Sequence, residues 1–428
     1  MRMSKARAVL AAVVVAALAV GGWLVLRGGP DYHEQAGGPQ GAFPTAAASG
    51  APAAPGRVVR QTSQSYGVDG GLSIDQAAEG IVARGLETGK VYWRYGRSGT
   101  DLGQVDFTGD GRTVATWWRD GVVAAIDVRT GKPRWHTKVT YGDPVGSSNT
   151  FAAIDVVSGL VVVESVNGIT AFAEDGGKRV WRGAVPKDCT LSSGGVFAMR
   201  GVVVARAKCA GKGDSDDDLP LLAFDTHSGA VGWRVDSGIN HLRPVDDHTL
   251  VTSLWSGEGV GAVVDVAGRA PHVSTWPLPA LRPSVAAGDG IMLSVDNTVR
   301  ALDGTLVAYD VAGRRTAWTH HPAKGTRFGL PLIEDGRVYV VQQAPLASNR
   351  APKAAPSDLL VLDARTGRQL DSMRLPPVAP ASSEPGDPDT ALAPWQAAAG
   401  VVTVRWNGML AGTTADLLVV GSPSGQVR

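Results

Sequence analysis

Charge is scarce in this chain and balanced where it occurs. Asp, Glu, Lys and Arg make up 19% of the 428 residues, with 41 basic side chains against 40 acidic ones. No basic strip stands out, so the sequence carries no electrostatic footprint for nucleic acid. Cysteine is rarer still, at Cys189 and Cys209 only. Strong helical periodicity is missing after residue 26, whereas 44% apolar residues, 55 glycines and 26 prolines suit a turn-rich all-β fold with a large core.

Catalytic and cofactor motifs are also missing. There is no P-loop and no dinucleotide fingerprint. The string nearest to a nucleophile elbow, Gly421-Ser-Pro-Ser-Gly425, occupies a repeat turn at the chain's end. The eight histidines are scattered except for His320-His321, and adjacent strand residues face opposite ways, so these two do not share an ion. Asp214, Asp216 and Asp218, with Asp225 eleven residues after the first, echo a calcium loop. However, Leu219 and Pro220 stand where such a loop needs glycine, which leaves a solvated inter-strand loop. Trp117, Trp118, Trp255 and Trp406 read first as packing residues and second as candidates to line a ligand face. No catalytic, cofactor-binding or metal residue is assigned.

What is present is repetition. An apolar pair, Asp-x-x-Thr/Ser-Gly and then Trp recurs as AIDVRTGKPRW at 125–135 and AFDTHSGAVGW at 223–233, and AYDVAGRRTAW at 308–318 repeats it with the glycine one residue closer to the Asp and no Thr or Ser before it. Weaker copies are ARGLETGKVYW at 83–93, AFAEDGGKRVW at 171–181, VVDVAGRAPHVSTW at 263–276 and VLDARTGRQLD at 361–371. Trp93, Trp135, Trp181, Trp233, Trp276 and Trp318 fall 42 to 52 residues apart. That period marks a stack of like supersecondary units.

Each copy reads as the outer hairpin of a four-stranded antiparallel blade. Asp127, Asp225, Asp310 and Asp363 bond the backbone just ahead, and Gly131, Gly229 and Gly367 supply the positive φ of the turn. The Trp ring then covers the seam to the next blade. Asp371 replaces Trp in the seventh copy, so that seam needs other packing. An eighth unit begins at Asp416 without an outer strand, and 57–65 is placed to supply it and close the ring. The expected fold is an all-β, eight-bladed β-propeller over residues 57–428, with seven blades as the alternative.

Residues 1–27 differ in kind. Arg2, Lys5 and Arg7 precede an uncharged 19-residue run, Ala8–Leu26, long enough as a helix for a bilayer core. The charge placement puts the N-terminus in the cytoplasm and the bulk outside. A retained single-pass anchor is expected, with a signal peptide cleaved near Ala17-Leu18-Ala19 as the rival. Residues 28–56, rich in Gly, Ala and Pro, read as a disordered tether. In an exported chain Cys189 and Cys209 pair by default as one disulfide, the alternative being two free thiols.

At its Asp-x-x-Thr-Gly-x-x-x-Trp hairpins the chain resembles the PQQ-like propeller repeat family, over about residues 57–428. One group in that family, the quinoprotein dehydrogenases, binds pyrroloquinoline quinone and calcium and typically carries two adjacent cysteines. Cys189 and Cys209 are twenty residues apart and do not match. BamB-like propellers, which bind partners, match better in length and in lacking catalytic residues. The Ala-, Gly-, Val- and Arg-heavy composition resembles proteins of high-GC bacteria. The resemblance implies a monomeric, membrane-tethered, extracytoplasmic scaffold that contacts an envelope protein or small ligand and catalyses nothing. A quinone-dependent oxidoreductase is the alternative. Segments Ala210–Pro220, Ala344–Ser357 and Pro376–Pro394 are the least repetitive and the expected contact loops.

Overall fold

The computed structural model of the chain describes residues 34–44, 50–62, 65–69, 71–77, 79–107, 111–139, 152–165, 167–210, 219–235, 240–253, 260–266, 270–277, 286–296, 304–344, 356–378, 391–407 and 416–421. Among them every regular element is a β-strand, and the strands form eight antiparallel sheets. In the second blade Leu102–Phe107, Thr113–Trp118, Val122–Asp127 and Pro133–Lys138 pair in sequence from the inside out. Both faces of a blade meet neighbours. The middle strands are therefore continuous apolar runs, as in Val122–Ile126, all buried, and not alternating ones.

Innermost strands touch from blade to blade, and the ring closes where Ala391–Ala398 meets Ser65–Asp69. The eighth blade draws on both ends of the described chain. Ala391–Ala398, Val401–Asn407 and Asp416–Gly421 take Pro55–Thr62 as their outer strand, with Val58 opposite Val419 and Thr62 opposite Asp416. The closing strand lies within two to three residues of its sequence-based position. Eight blades, not seven, complete the ring.

At four of the seams the repeat residues join one blade to the next. Asp127 Oδ1 accepts from the Thr130 N–H and hydroxyl, both at 2.9 Å, and Asp225 and Asp363 hold Ser228 and Thr366 in the same way. Asp310 accepts from the Gly313 N–H at 2.9 Å. Gly131, Gly177, Gly229 and Gly367 then sit at φ of +65 to +69°, directly against the rings of Trp93, Trp135, Trp181 and Trp318 of the preceding blade. Each indole N–H donates to a carbonyl in that same turn: Trp93 to Val128, Trp135 to Glu174, Trp181 to Thr226 and Trp318 to Ala364, at 2.6–2.8 Å. Ring burial and a satisfied N–H thus come from one contact. Trp233 is half-buried and packs with Leu250, Val264 and Val266 of the fifth blade.

At the seam between the seventh and eighth blades the contact is missing for a topological reason. The eighth blade's third and fourth strands come from opposite ends of the chain, so no turn joins them and no turn glycine exists for a Trp to meet. Residue 371 is accordingly free to be Asp. That seam is packed by Tyr339, Val341, Leu359, Val361, Leu375, Leu392, Val404 and Trp406. It also holds Gly50–Pro52: Ala51 N–H donates to Asp335 (2.8 Å), Gly400 N–H to the Gly50 carbonyl (2.7 Å), and Tyr339 Oη to the Pro52 carbonyl (2.6 Å).

The expectation of a disordered tether over 28–56 is corrected for its described part. Glu34–Gly37 pairs with Val91–Arg97 as a fifth strand on the first blade, and Phe43 packs edge-on against Tyr92 at 5.7 Å under Arg129. The few apolar side chains of this segment suffice because it borrows an existing sheet edge and two existing seams. Residues 1–33 lie outside the described residues, as does the expected membrane segment. No helix among the described residues is long and apolar enough to cross a membrane.

Cys189 and Cys209 stand directly opposite each other on strands Cys189–Met199 and Val202–Cys209 of the fourth blade and are joined as a disulfide (S–S 1.98 Å). Both are buried.

Candidate interaction face

Antiparallel pairing sends successive connections to opposite faces of the ring. Turns between first and second, and between third and fourth, strands lie on one face, together with the Trp-docking glycines. Connections between second and third strands, and between blades, leave from the other. Cys209 and Leu221, Gln343 and Ser357, and Leu375 and Ala391 are strand ends on that second face. The three segments expected as contact loops therefore all leave from one face. Residues 211–218, 345–355 and 379–390 within them, the acidic run at 214–218 included, lie outside the described residues.

The hub shows how innermost strands, which are sheet edges, satisfy their outward-facing backbone. Gln104 donates to the Ile154 carbonyl and accepts from the Ile154 N–H, both at 3.1 Å. Asp106 accepts from Val156 N–H at 2.6 Å, and Asp155 from Val196 N–H at 3.2 Å. Side chains of one blade thus replace the missing ladder of the next. Burial pushes the Asp106 carboxyl up despite its backbone bonds. Burial also pushes Asp155 up to about 7, with the Asp106 charge adding to it against the Val196 bond. Each carboxylate gives an oxygen to a backbone N–H of the neighbouring blade, an arrangement that serves structure.

Trp395 is the outlier of the innermost strands. Its side chain is 58% exposed, the most exposed large apolar residue among those described. Pro394 cannot donate to the ladder, and the register shifts between Pro394 and Gln396, so the bulge turns the ring outward. The Arg405 guanidinium lies 4.4 Å from the ring centroid. Buried Asp416 holds that guanidinium at 3.1 Å. The result is an exposed aromatic braced from behind by a charge pair.

None of the four tryptophans considered for a ligand face lies open to solvent among the described residues. Trp118 and Trp406 are buried, Trp117 is half-buried against Gly103, and Trp255 lies outside the description. Trp395 was not singled out from the sequence, although the Pro-Trp pair in a strand was a legible signal for a bulge.

Two groupings have metal-ligand proximity among the described residues. Asp188, Cys189 and Cys209 form one, in which both sulfurs are consumed by the disulfide. Asp246, Asp247 and His248 form the other, in an exposed turn where Asp246 accepts from the His248 and Thr249 N–H groups. His320 packs beside Phe328, while the His321 ring meets the Thr305 hydroxyl, so the neighbouring imidazoles diverge.

Eight four-stranded antiparallel sheets closed into a ring by the two ends of the described chain define the class of eight-bladed β-propellers. The family model for the outer membrane protein assembly factor BamB matches residues 59–209 and 217–408, and the chain belongs to that family. BamB from Moraxella catarrhalis is 15% identical, with 85% of this chain and 99% of that one covered at a TM-score of 0.49. The computationally designed Ika8 protein is 13% identical over 86% and 100% of the two chains, at 0.51. The quinohemoprotein alcohol dehydrogenase ADHIIG from Pseudomonas putida HK5 is 14% identical over 84% and 74%, at 0.46. Such identities speak to fold alone. No curated protein sequence matches the chain.

Proposed function

We propose that this protein is a membrane-tethered, extracytoplasmic propeller that recognises an envelope protein through its long-connection face and performs no chemistry itself. The observation that carries the reading is Trp395, exposed on the innermost strand of the eighth blade and pre-positioned by Arg405 and Asp416. Trp and Arg dominate the energetic centres of protein interfaces, and a held rotamer lowers the entropy lost on binding. The BamB family assignment supports a binding role, and the positive N-terminal flank of the 8–26 apolar run supports the tether.

A photo-crosslinking residue placed at 395 in the native host is expected to give one discrete adduct with an envelope protein. The same residue at Val180, exposed on an outermost strand, serves as the control and gives none. No adduct at 395, or the same adduct at both positions, refutes the reading. Absence of catalysis is tested separately with pyrroloquinoline quinone, calcium and a dye acceptor. Dye reduction by alcohols or sugars would assign the protein to the oxidoreductases instead.

A further inference from the structure

The apolar seam between the seventh and eighth blades ends, on the long-connection face, in polar atoms that no other described residue matches. Gln343, Ser357 and Trp406 are 3%, 1% and 3% exposed. Gln343 Nε2, Ser357 Oγ and Trp406 Nε1 have no hydrogen-bond partner among the described residues. They share one location by pairing. Gln343 stands opposite Ser357, Gln343 Oε1 accepts from Leu392 N–H at 2.9 Å, and Leu392 stands opposite Trp406.

The chemistry of this trio has one sign. Leu392 N–H fixes the amide of Gln343 with oxygen toward the eighth blade, which leaves its NH2 as a donor. The indole nitrogen of Trp406 only donates, and the Ser357 hydroxyl donates or accepts. Buried donors without acceptors are costly, and a cluster of donors is matched by an oxygen acceptor, most strongly by an anionic one.

We propose that this end of the seam is a binding site for a carboxylate group, held by Gln343 Nε2, Ser357 Oγ and Trp406 Nε1. The carboxylate is either that of a small free acid or that of an acidic side chain on a partner. The site does not depend on Trp395, which stacks on Arg405 on the side of the eighth-blade sheet away from this seam, so its test stands apart from the proposed function.

The test uses the full chain in detergent, with the indole N–H resonance of Trp406 assigned by its loss in Trp406→Phe. Sodium acetate is titrated against sodium chloride at equal ionic strength, and N-acetyl-Gly-Asp-Gly-amide is titrated in parallel. A saturable shift with acetate is expected, absent with chloride. Gln343→Glu keeps the shape and the Leu392 bond but adds a negative charge, and is expected to weaken acetate by about ten-fold or more. Ser357→Ala, the milder variant, is expected to weaken it measurably. Acetate without the peptide identifies a free acid as the ligand; a shift with both identifies a partner's side chain. No saturable shift with either probe, unchanged titration in both variants, or a crystal structure with acetate showing only an ordered water there would overturn the proposal.

Discussion

Trp318 of the sixth blade lies flat against Gly367 of the seventh, and a Cβ on Gly367 would meet the ring at 2.5 Å. The same indole donates to the Ala364 carbonyl at 2.8 Å. Sequence periodicity, turn geometry and inter-blade packing meet in that one contact.

Gly367→Ala adds a methyl group at φ +68° into the face of the ring. Left-handed strain costs about 1–2 kcal/mol and overpacking about 1–3 kcal/mol more. Gly336→Ala, at φ +71° with nothing within 4 Å, carries the strain alone. Denaturant midpoints for the two variants should therefore separate clearly, with Gly367→Ala the lower. Equal midpoints would show that the Trp contact yields freely.

Asp155 gives the ring a pH dependence of defined sign. Its folded pKa of about 7 lies above the ordinary 3.8 because burial disfavours the charged form. The folded state thus holds the extra proton between about pH 4 and 7, so this group's contribution is full at the acid end and lost as pH rises through 7. Asp155→Asn keeps an oxygen for the Val196 N–H and removes the titration. The variant should melt higher than the parent at pH 8, with a flatter profile of melting temperature between pH 4 and 7. A parallel profile would refute the assignment.

The Tyr339 hydroxyl ties the seventh blade to the segment before the propeller through the Pro52 carbonyl at 2.6 Å. Tyr339→Phe removes a buried bond and leaves an orphan carbonyl, a loss of about 1–2 kcal/mol. Burial pushes this phenol up to about 12, so one tyrosine should ionise later than the ordinary range in a spectrophotometric titration, and the late step should vanish in the Phe variant.

Reduction of the Cys189–Cys209 bridge opens a loop with a sequence separation of 20 residues, for which the chain-entropy account gives about 3 kcal/mol. The double variant Cys189→Ala/Cys209→Ala should melt below the parent, and reductant should lower the parent but not the variant. Intact mass should rise by about two daltons on reduction.

Trp395→Ala removes an exposed ring and should leave stability within about 0.5 kcal/mol. Its effect should fall on recognition instead, weakening capture of the crosslinked partner by about ten-fold or more. A variant that loses stability without losing capture would make Trp395 a structural residue.

The amino-acid sequence by itself determined the repeating unit and narrowed its number to eight or seven; the closed ring decided for eight. Asp-x-x-Thr-Gly and the spaced tryptophans are local signals, legible because turn chemistry needs particular residues at fixed offsets and because each unit repeats the solution. The terminal strand that completes the eighth blade was legible for the same reason, as a missing element with one free candidate. Only the tertiary structure decided why Asp371 replaces Trp: the eighth blade is assembled from distant segments and offers no turn glycine. It alone showed Glu34–Gly37 and Gly50–Pro52 fastened to edges and seams that exist only once the ring is closed. The exposure of Trp395 and the burial of Trp406 were undetermined by composition, since two tryptophans eleven residues apart differ only in which way a bulge and a seam turn them. Contacts made between residues far apart in the chain have no period in the sequence, and the candidate sites of this protein are built from such contacts.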